Sequence, residues 1–505
     1  MPQPQGKVWL VGAGPGEPGL ITARGLAVLS RADVVLYDAL AHPALLDACA
    51  QAEQRNVGKR YGEDSAVQDE IIRQMIELAR QGKRVVRLKG GDPFMFARGA
   101  EEALALVKAG IRFEVVPGVS SPIATSAYAG ISLTHREVSS SVTFITGSDR
   151  AGKEWSPDSW KKLATATDTI CVLMGMRRIG EIAQAIIDGG RSPSTPAAVI
   201  HWGARPEQRV VTSTLDQIAQ TAQAAGLKNP SIIVVGEVVN LREKLSWYDS
   251  RPLSGKRIVV PRAAEQARDT AAAIRDRGAA PVILPMIEIA PPPDAASFAK
   301  AVNELGSYEW VLFTSGNAVD QLRSELERTG RDARAFGSAK VGAVGTKTAE
   351  ALAKLGIRAD VVAQEFVGEG LAGAVLALGV PRSVLLLRAL VARDALPDAL
   401  RARGAEVTVV AAYETKPLSG SGAELRERIE NGTADAILFT SGSTVSSTLD
   451  ALGSDGKALL ERISICSIGP MTSRALAQHG LSPSVEASVY TVEGLLDALE
   501  ASAQR

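Results

Sequence analysis

Apolar positions in the first half of the chain fall in short unbroken runs, each followed by a glycine-rich turn and an amphipathic stretch. Val8-Trp-Leu-Val11 runs into Gly12-Ala-Gly-Pro-Gly-Glu17, and Val86-Arg-Leu-Lys89 runs into Gly90-Gly91-Asp92-Pro93. A strand ending in such a loop ahead of a helix exposes backbone donors at the carboxyl edge of an open α/β sheet, the edge where ligands of these sheets bind. Two such edges can face one ligand, and the second adds the carboxylate of Asp92.

The pattern breaks at Trp247-Tyr-Asp-Ser-Arg-Pro-Leu-Ser-Gly255, a polar, turn-forming stretch ahead of a new strand at Arg257-Ile-Val-Val-Pro261. The main domain boundary is predicted there. Beyond it the chain repeats itself. Glu309-Trp-Val-Leu-Phe-Thr-Ser-Gly-Asn-Ala-Val319 returns as Asp435-Ala-Ile-Leu-Phe-Thr-Ser-Gly-Ser-Thr-Val445, and Val344-Gly-Thr-Lys-Thr-Ala-Glu-Ala-Leu352 as Ile468-Gly-Pro-Met-Thr-Ser-Arg-Ala-Leu476. Val367-Gly-Glu-Gly-Leu371 and Ile258-Val-Val-Pro-Arg262 have partners at Thr491-Val-Glu-Gly-Leu495 and Leu385-Leu-Leu-Arg388, at nearly the same offset, which marks one duplicated domain. Each copy alternates Val/Leu/Ile runs with amphipathic Ala/Leu-rich segments, the βαβ pattern of a parallel sheet. Pro285–Pro293 and Ala411–Pro417 read as paired crossings between lobes. Lobe one is then expected from about 253–287 plus 415–505, and lobe two from about 288–414.

Composition allows several domains and narrows the partners. The 505 residues exceed one ordinary core, and 46% hydrophobic with 22% charged residues suits a globular protein. Lys plus Arg equals Asp plus Glu at 56 each, so no overall field attracts nucleic acid or an anionic membrane. No apolar run nears the roughly 20 residues of a membrane span, and Met1–Lys7 leads into a strand rather than a signal peptide. A cytoplasmic protein is expected. Cys49, Cys171 and Cys466 lie far apart and point to ordinary packing rather than disulfides. His42, His135, His201 and His479 are equally scattered, so no metal is expected.

In the first glycine loop Glu17 stands where a dinucleotide fingerprint needs its third glycine, and no acidic residue follows at the right place, so a nicotinamide site is not expected. A tight strand-to-helix turn alone would explain such a loop. The loop is accompanied, however, by Tyr37-Asp-Ala-Leu40, Val57-Gly-Lys-Arg60, Val116-Pro-Gly-Val-Ser-Ser-Pro-Ile-Ala124, Ala127-Tyr-Ala-Gly-Ile-Ser-Leu-Thr-His-Arg136, Val172-Leu-Met-Gly-Met176 and Asn229-Pro-Ser-Ile-Ile-Val-Val-Gly-Glu-Val238. Together these resemble the uroporphyrinogen-III C-methyltransferases over nearly all of residues 7–249. The resemblance implies an S-adenosylmethionine-dependent tetrapyrrole methyltransferase at 1–249, a homodimer through this module, and a cofactor held at Pro15, Gly90, Gly91, Asp92, Met95, Ser120, Ser121, Met174 and Gly203. It makes Asp38 the candidate proton acceptor and Lys59 the candidate donor. A helix N-cap for Asp38 and a solvated charge for Lys59 are the plainer alternatives. Uroporphyrinogen III carries eight carboxylates, and Arg60, Arg87, Lys89, Arg98 and Arg136 sit in or beside the motif loops as candidate donors. Arg98, just after the cofactor turn, could also influence proton transfer. The chain departs from the family's usual residues at Asp64, Ala97 and Ser148, near substrate loops.

In the second half a strand ends in Thr-Ser-Gly twice, at Thr314–Gly316 and Thr440–Gly442, offering hydroxyls and helix N-terminal donors to carboxylates; ordinary N-capping is the alternative. The lobe plan, with Phe313–Val319, Ala411-Ala-Tyr-Glu-Thr415 and Ser467–Leu476, resembles uroporphyrinogen-III synthase over residues 253–505. The reaction implied closes linear hydroxymethylbilane to uroporphyrinogen III, with inversion of its last pyrrole ring. Tyr413 is the candidate for assisting loss of the terminal hydroxyl, or else an aromatic spacer between lobes; Ser315, Ser441 and Thr472 are candidate substrate contacts. The whole is expected to be α/β: a two-lobed tetrapyrrole-methylase-type module, then a two-lobed synthase module of duplicated parallel-sheet domains. The function implied is cyclisation of hydroxymethylbilane followed by two methylations to precorrin-2, serving sirohaem, cobalamin or haem d1. The alternative is a methyltransferase of another corrin intermediate with a non-catalytic tetrapyrrole-binding second half.

Overall fold

The computed structural model describes residues 6–58, 65–147, 157–262, 264–363, 368–418 and 420–503. The chain forms two compact units, drawn mainly from residues 1–258 and 259–499. In the first, strands β1 (Lys7–Gly12), β2 (Val34–Tyr37), β3 (Glu53–Asn56), β4 (Arg84–Lys89) and β5 (Arg112–Val116) make an all-parallel sheet in the order β3-β2-β4-β1-β5. Alternate residues face opposite sides. Val8, Leu10, Val34, Leu36 and Val85 meet Ile71, Met75, Leu78 and Leu106 of the helices Ser65–Arg80 and Gly99–Lys108 on one side. Val11, Val35, Val86 and Leu88 meet Val28, Leu29 and Leu45 on the other. With both faces covered, the strands read as continuous apolar runs.

A second sheet follows, from β6 (Val142–Thr146), β7 (Thr169–Leu173), β8 (Pro196–His201), β9 (Arg209–Thr214) and β10 (Ser231–Val235), in the order β6-β7-β10-β8-β9. Only β6 and β7 run parallel; β10 is antiparallel to both of its neighbours, and β8 to β9. Its core joins Ile170, Val172, Val199 and Ile233 to Ile182, Ile186 and Ile218 from the helices Ile179–Asp188 and Ile218–Ala224.

Beyond the turn-rich stretch 247–255, β11 (Arg257–Val260) and β12 (Ala280–Ile283) open one sheet of the second half, and β13 (Ile287–Ala290), β14 (Trp310–Phe313), β15 (Lys340–Ala343), β16 (Val361–Val362), β17 (Ser383–Ala389) and β18 (Glu406–Pro417) form another, in the order β13-β18-β17-β14-β15-β16. The chain then returns to the first of these sheets with β19 (Ala436–Phe439), β20 (Ser464–Ser467) and β21 (Val485–Glu486), giving β12-β11-β19-β20-β21. The interrupted sheet thus takes strands from both ends of the half, and the inserted one from its middle. At the crossing, Leu418 N donates to Met286 O at 3.0 Å. The pairs β14–β15, β14–β17, β15–β16, β17–β18, β19–β20 and β20–β21 are parallel, whereas β13 pairs antiparallel with β18. The α/β expectation holds in both halves.

Candidate active sites

At the carboxyl edge of the first sheet, three loops meet through glycine. Gly91 N donates to Gly14 O at 2.8 Å and Gly14 N to Gly91 O at 3.2 Å, tying the loop after β4 to the loop after β1. Gly91 takes φ +68°, a conformation a side chain would disfavour. A Cβ on Gly12 would lie 2.5 Å from Gly118 Cα and 2.6 Å from Gly91 O, so the three backbones touch. Asp92 fastens the contact: Oδ1 accepts from Phe94 N at 2.8 Å and Oδ2 from Gly118 N at 3.0 Å. Both carboxylate oxygens therefore hold protein loops, a structural duty that its place in the motif did not reveal.

Beside this junction lies a cavity of about 310 Å³ lined by Asp92, Met95, Gly118, Val119, Ser120, Pro122, Ile123 and Phe144. Three of the predicted cofactor residues, Asp92, Met95 and Ser120, are in its wall. Ser120 is the N-cap of the helix Ser121–Tyr128 yet makes no capping bond with its side chain. Gly203 packs against Thr125 of that helix, where a Cβ would lie 2.4 Å from the threonine Cβ, and Thr125 Oγ1 and Ser126 Oγ are buried without a partner. Met174, Trp202 and Ala204 have φ of 55°, 48° and 59°, as have Phe96 and Arg98 at 54° and 60°. Such strain in non-glycine residues concentrates at functional sites. The apolar lining of Val119, Pro122, Ile123 and Phe144, beside the Met95 thioether, the Asp92 carboxylate and the Ser120 hydroxyl, suits a ligand with both apolar and polar parts. The residues fit S-adenosylmethionine. Pro15 and Ser121 border the site rather than line the cavity: Pro15 is half-buried between Gly14 and Gly16, and the nearest atom to a Cβ on Gly91 is Ser121 N, at 3.5 Å. Gly90 packs on Leu40, whose Cβ would lie 3.0 Å from an added Cβ.

Asp38 follows β2 at the same sheet edge. It caps no helix; the next, Pro43–Cys49, is capped by His42. Its Oδ1 accepts from Arg87 Nη2 at 2.5 Å, and its side chain is 28% exposed. Two expected substrate donors are corrected here. Arg87 and Lys89 are 2% exposed each, turned beneath the sheet onto Glu102 of the helix Gly99–Lys108. They alternate along β4 on the face of Val85, so the pleat carries them inside. Arg98 is exposed and pairs with Glu101 at 2.6 Å, a contact that raises its pKa. Arg136 is exposed on the loop where His135 and Ser139 pair. Lys59 and Arg60, with the departures at Asp64 and Ser148, lie outside the described residues.

Arg205 was missed in the sequence. It reaches from the loop after β8 to donate to Leu40 O at 2.6 Å, and its guanidinium lies 4.6 Å from the Trp202 ring centre. A Cβ on Gly16 would lie 2.6 Å from its Nε, which has no partner. Burial of this cation lowers its pKa, and burial together with Arg205 lowers that of His42 to about 4.

In the second half, Ser315 caps the helix Gly316–Arg328, accepting from Ala318 N at 3.3 Å, and its Oγ lies 3.1 Å from the phenol oxygen of Tyr413. Tyr413 belongs to β18, is 7% exposed, and is part of the buried cluster that holds Phe313, Val319 and Leu387. In the other lobe Ser441 caps Gly442–Leu452 and contacts Ser443 Oγ at 3.0 Å, with Thr440 Oγ1 buried and unpartnered beside it. Thr472 is buried in the first turn of Pro470–Gln478. Among the described residues no group of three or more His, Cys, Asp or Glu could hold a metal ion, and no helix is long and apolar enough to cross a membrane.

Residues 7–219 match the family of Tetrapyrrole (Corrin/Porphyrin) Methylases, and residues 268–497 match Uroporphyrinogen-III synthase HemD. These matches define the class: a tetrapyrrole methylase fused ahead of a synthase. The chain is 36% identical to the porphyrin biosynthesis protein HemD of Ruminiclostridium josui, over 98% of this chain and 97% of that one. It is 45% identical to the uroporphyrinogen-III C-methyltransferase of Bacillus subtilis, over 48% of this chain and 95% of that one. A structure of the uroporphyrin-III C-methyltransferase of Thermus thermophilus complexed with S-adenyl homocysteine shares 36% identity, covers 46% of this chain and 99% of that one, and has a TM-score of 0.41. The chain spans about half the length of the siroheme synthases it also matches. It belongs to the HemD porphyrin-biosynthesis family, with a first half of the S-adenosylmethionine-dependent uroporphyrinogen-III C-methyltransferase family and a second half of the uroporphyrinogen-III synthase family.

Proposed function

We propose that the second half, residues 253–505, closes hydroxymethylbilane to uroporphyrinogen III and that the first half, residues 1–249, methylates this product twice to precorrin-2. The observation that carries the reading is the glycine junction of Gly12, Gly91 and Gly118 beside the cavity of about 310 Å³, with Asp38 on the same sheet edge. Bound there, S-adenosylmethionine supplies an electrophilic methyl on a sulfonium. Holding that methyl in line with a pyrrole carbon is most of the catalysis, and the junction supplies the rigidity. Pro15, Gly90, Gly91, Asp92, Met95, Ser120, Ser121, Met174 and Gly203 form the cofactor side. Asp38 accepts the proton released after transfer and Lys59 donates one. Arg60, Arg98 and Arg136 meet substrate carboxylates.

In the second half the Tyr413 phenol assists departure of the terminal hydroxyl, leaving an azafulvene. Attack at the already substituted carbon, then fragmentation and reclosure, inverts the last ring. Ser315, Ser441 and Thr472 contact the polyanion. The protein works in the cytoplasm as a homodimer through the first module. Asp92→Ala tests the first site, because it frees both Phe94 N and Gly118 N and loosens the cavity wall. It should weaken S-adenosylmethionine binding and stop methylation while cyclisation continues; an unchanged cofactor dissociation constant places the site elsewhere.

A further inference from the structure

The Asp38 carboxylate is not held by the loop that carries it. Its partner is Arg87, one strand away, and Arg87 is itself fixed from below. The guanidinium spends its donors in three directions: Nη2 to Asp38 Oδ1, Nη1 to the backbone oxygens of Leu36 and Leu88 at 3.3 Å each, and Nε to Glu102 Oε1 at 3.2 Å. Glu102 is fully buried, and the same Oε1 also accepts from Lys89 Nζ at 2.9 Å and Gln68 Nε2 at 2.8 Å. Its Oε2 is buried without a partner.

Only with Asp38 do the charges of this cluster balance. Arg87 and Lys89 bring two positive charges, and Glu102 brings one negative. Burial with Arg87 nearby pushes the Lys89 pKa below the ordinary lysine value, opposed by Glu102 and Asp38. Asp38 is the fourth member and the only one facing the sheet edge. A buried ion pair is a poor source of net stability, because desolvation offsets its attraction. A planar fork with each arm occupied does, however, give an oxygen a single position.

We infer that Arg87 is a positioning residue for methyl transfer: clamped by Glu102 beneath the sheet, it fixes the Asp38 carboxylate at the edge where the proton is taken. The inference rests on the reading of Asp38 as proton acceptor. It assigns Arg87 no contact with substrate or cofactor. Lys89 and Gln68 act one step further back, by holding Glu102 Oε1.

A double-mutant cycle in the full chain tests this, with steady-state methylation of uroporphyrinogen III as the rate, calorimetric S-adenosylmethionine binding as the check on the module's fold, and cyclisation as an internal control. Arg87→Gln should slow methylation by roughly 10²-fold, the scale of a misplaced catalytic group, with substrate KM and cofactor affinity nearly unchanged. Arg87→Lys keeps the charge but cannot reach both carboxylates, and should recover part of that loss. In the Asp38→Asn background, Arg87→Gln should add less than about twofold, because the group it positions is gone. Equal losses in both backgrounds, or a rise in KM with kcat intact, would overturn the inference. If Arg87→Gln abolishes cofactor binding, the cycle run with Arg87→Lys decides by the same criterion. An Asp38→Asn variant with full activity would instead refute the proton-acceptor reading.

Discussion

Gly118→Ala is the sharpest perturbation of the proposed cofactor site, because the structure leaves its single added carbon nowhere to go. A Cβ at this position would stand 2.3 Å from Gly91 O, 2.7 Å from Gly12 Cα and 2.9 Å from Gly12 C. All three neighbours are backbone, so no rotamer change relieves the clash. Ordinary carbon contacts need about 3.5 Å or more, so the loops must part by roughly 1 Å. That movement stretches the 3.0 Å bond from Gly118 N to Asp92 Oδ2 and displaces the cavity wall that Gly118 shares with Val119 and Ser120. Overpacking of this kind costs about 1–3 kcal/mol. Expressed in the bound geometry, it should weaken S-adenosylmethionine binding about 10- to 100-fold by calorimetric titration of the full chain. Cyclisation by the second half should not change. Gly180→Ala is the matched control, since the nearest atom to its Cβ, Ala219 Cβ, is 3.8 Å away in ordinary contact; it should bind cofactor normally. A Gly118→Ala protein with the wild-type dissociation constant would show that the glycine junction does not shape the cofactor site.

Three further outcomes are expected. Tyr413→Phe removes the oxygen that sits 3.1 Å from Ser315 Oγ, and should slow formation of uroporphyrinogen III by roughly 10²- to 10⁴-fold with accumulation of the type I isomer; near wild-type cyclisation and isomer ratio would return Tyr413 to a packing role. Glu114 is bonded by Lys7 at 2.7 Å and by Arg24 at 2.8 Å, which pull its pKa from 4.5 to about 2. Because the folded value is the lower one, the stability advantage of wild type over Glu114→Gln should be full above pH 4.5 and shrink as pH falls toward about 2, read by urea unfolding at a series of pH values; a gap independent of pH would sink this reading. Separate fragments 1–249 and 250–505 should each fold and keep one activity, and inactive fragments beside an active intact chain would defeat the two-module division.

Much of this architecture is legible in the chain because glycine and repetition leave strong marks. The glycine loops announced the sheet edge, and the duplicated Thr-Ser-Gly segments announced two related lobes. What stayed hidden depends on pairings distant in sequence. Arg87 and Lys89 look like loop cations until Glu102 is placed beneath them; the alternation from Val85 was the available signal, but charge beside a motif loop outweighed it. The contact of Ser315 with Tyr413 spans 98 positions. Met174 and Trp202 are not glycine, so nothing in their identity betrays the positive φ they adopt. Strand direction was hidden for the same reason: β8, β9 and β10 are as rich in branched residues as parallel strands, and their antiparallel pairing is decided by connections rather than composition.

The central claim is that one chain makes uroporphyrinogen III and then methylates it. The direct measurement supplies the intact protein with hydroxymethylbilane, with and without S-adenosylmethionine, and identifies the tetrapyrroles by mass and isomer analysis. Uroporphyrinogen III alone without the methyl donor, and precorrin-2 carrying two added methyl groups with it, is the predicted result. Only the type I isomer in the first case, or unmethylated uroporphyrinogen III in the second, would contradict it.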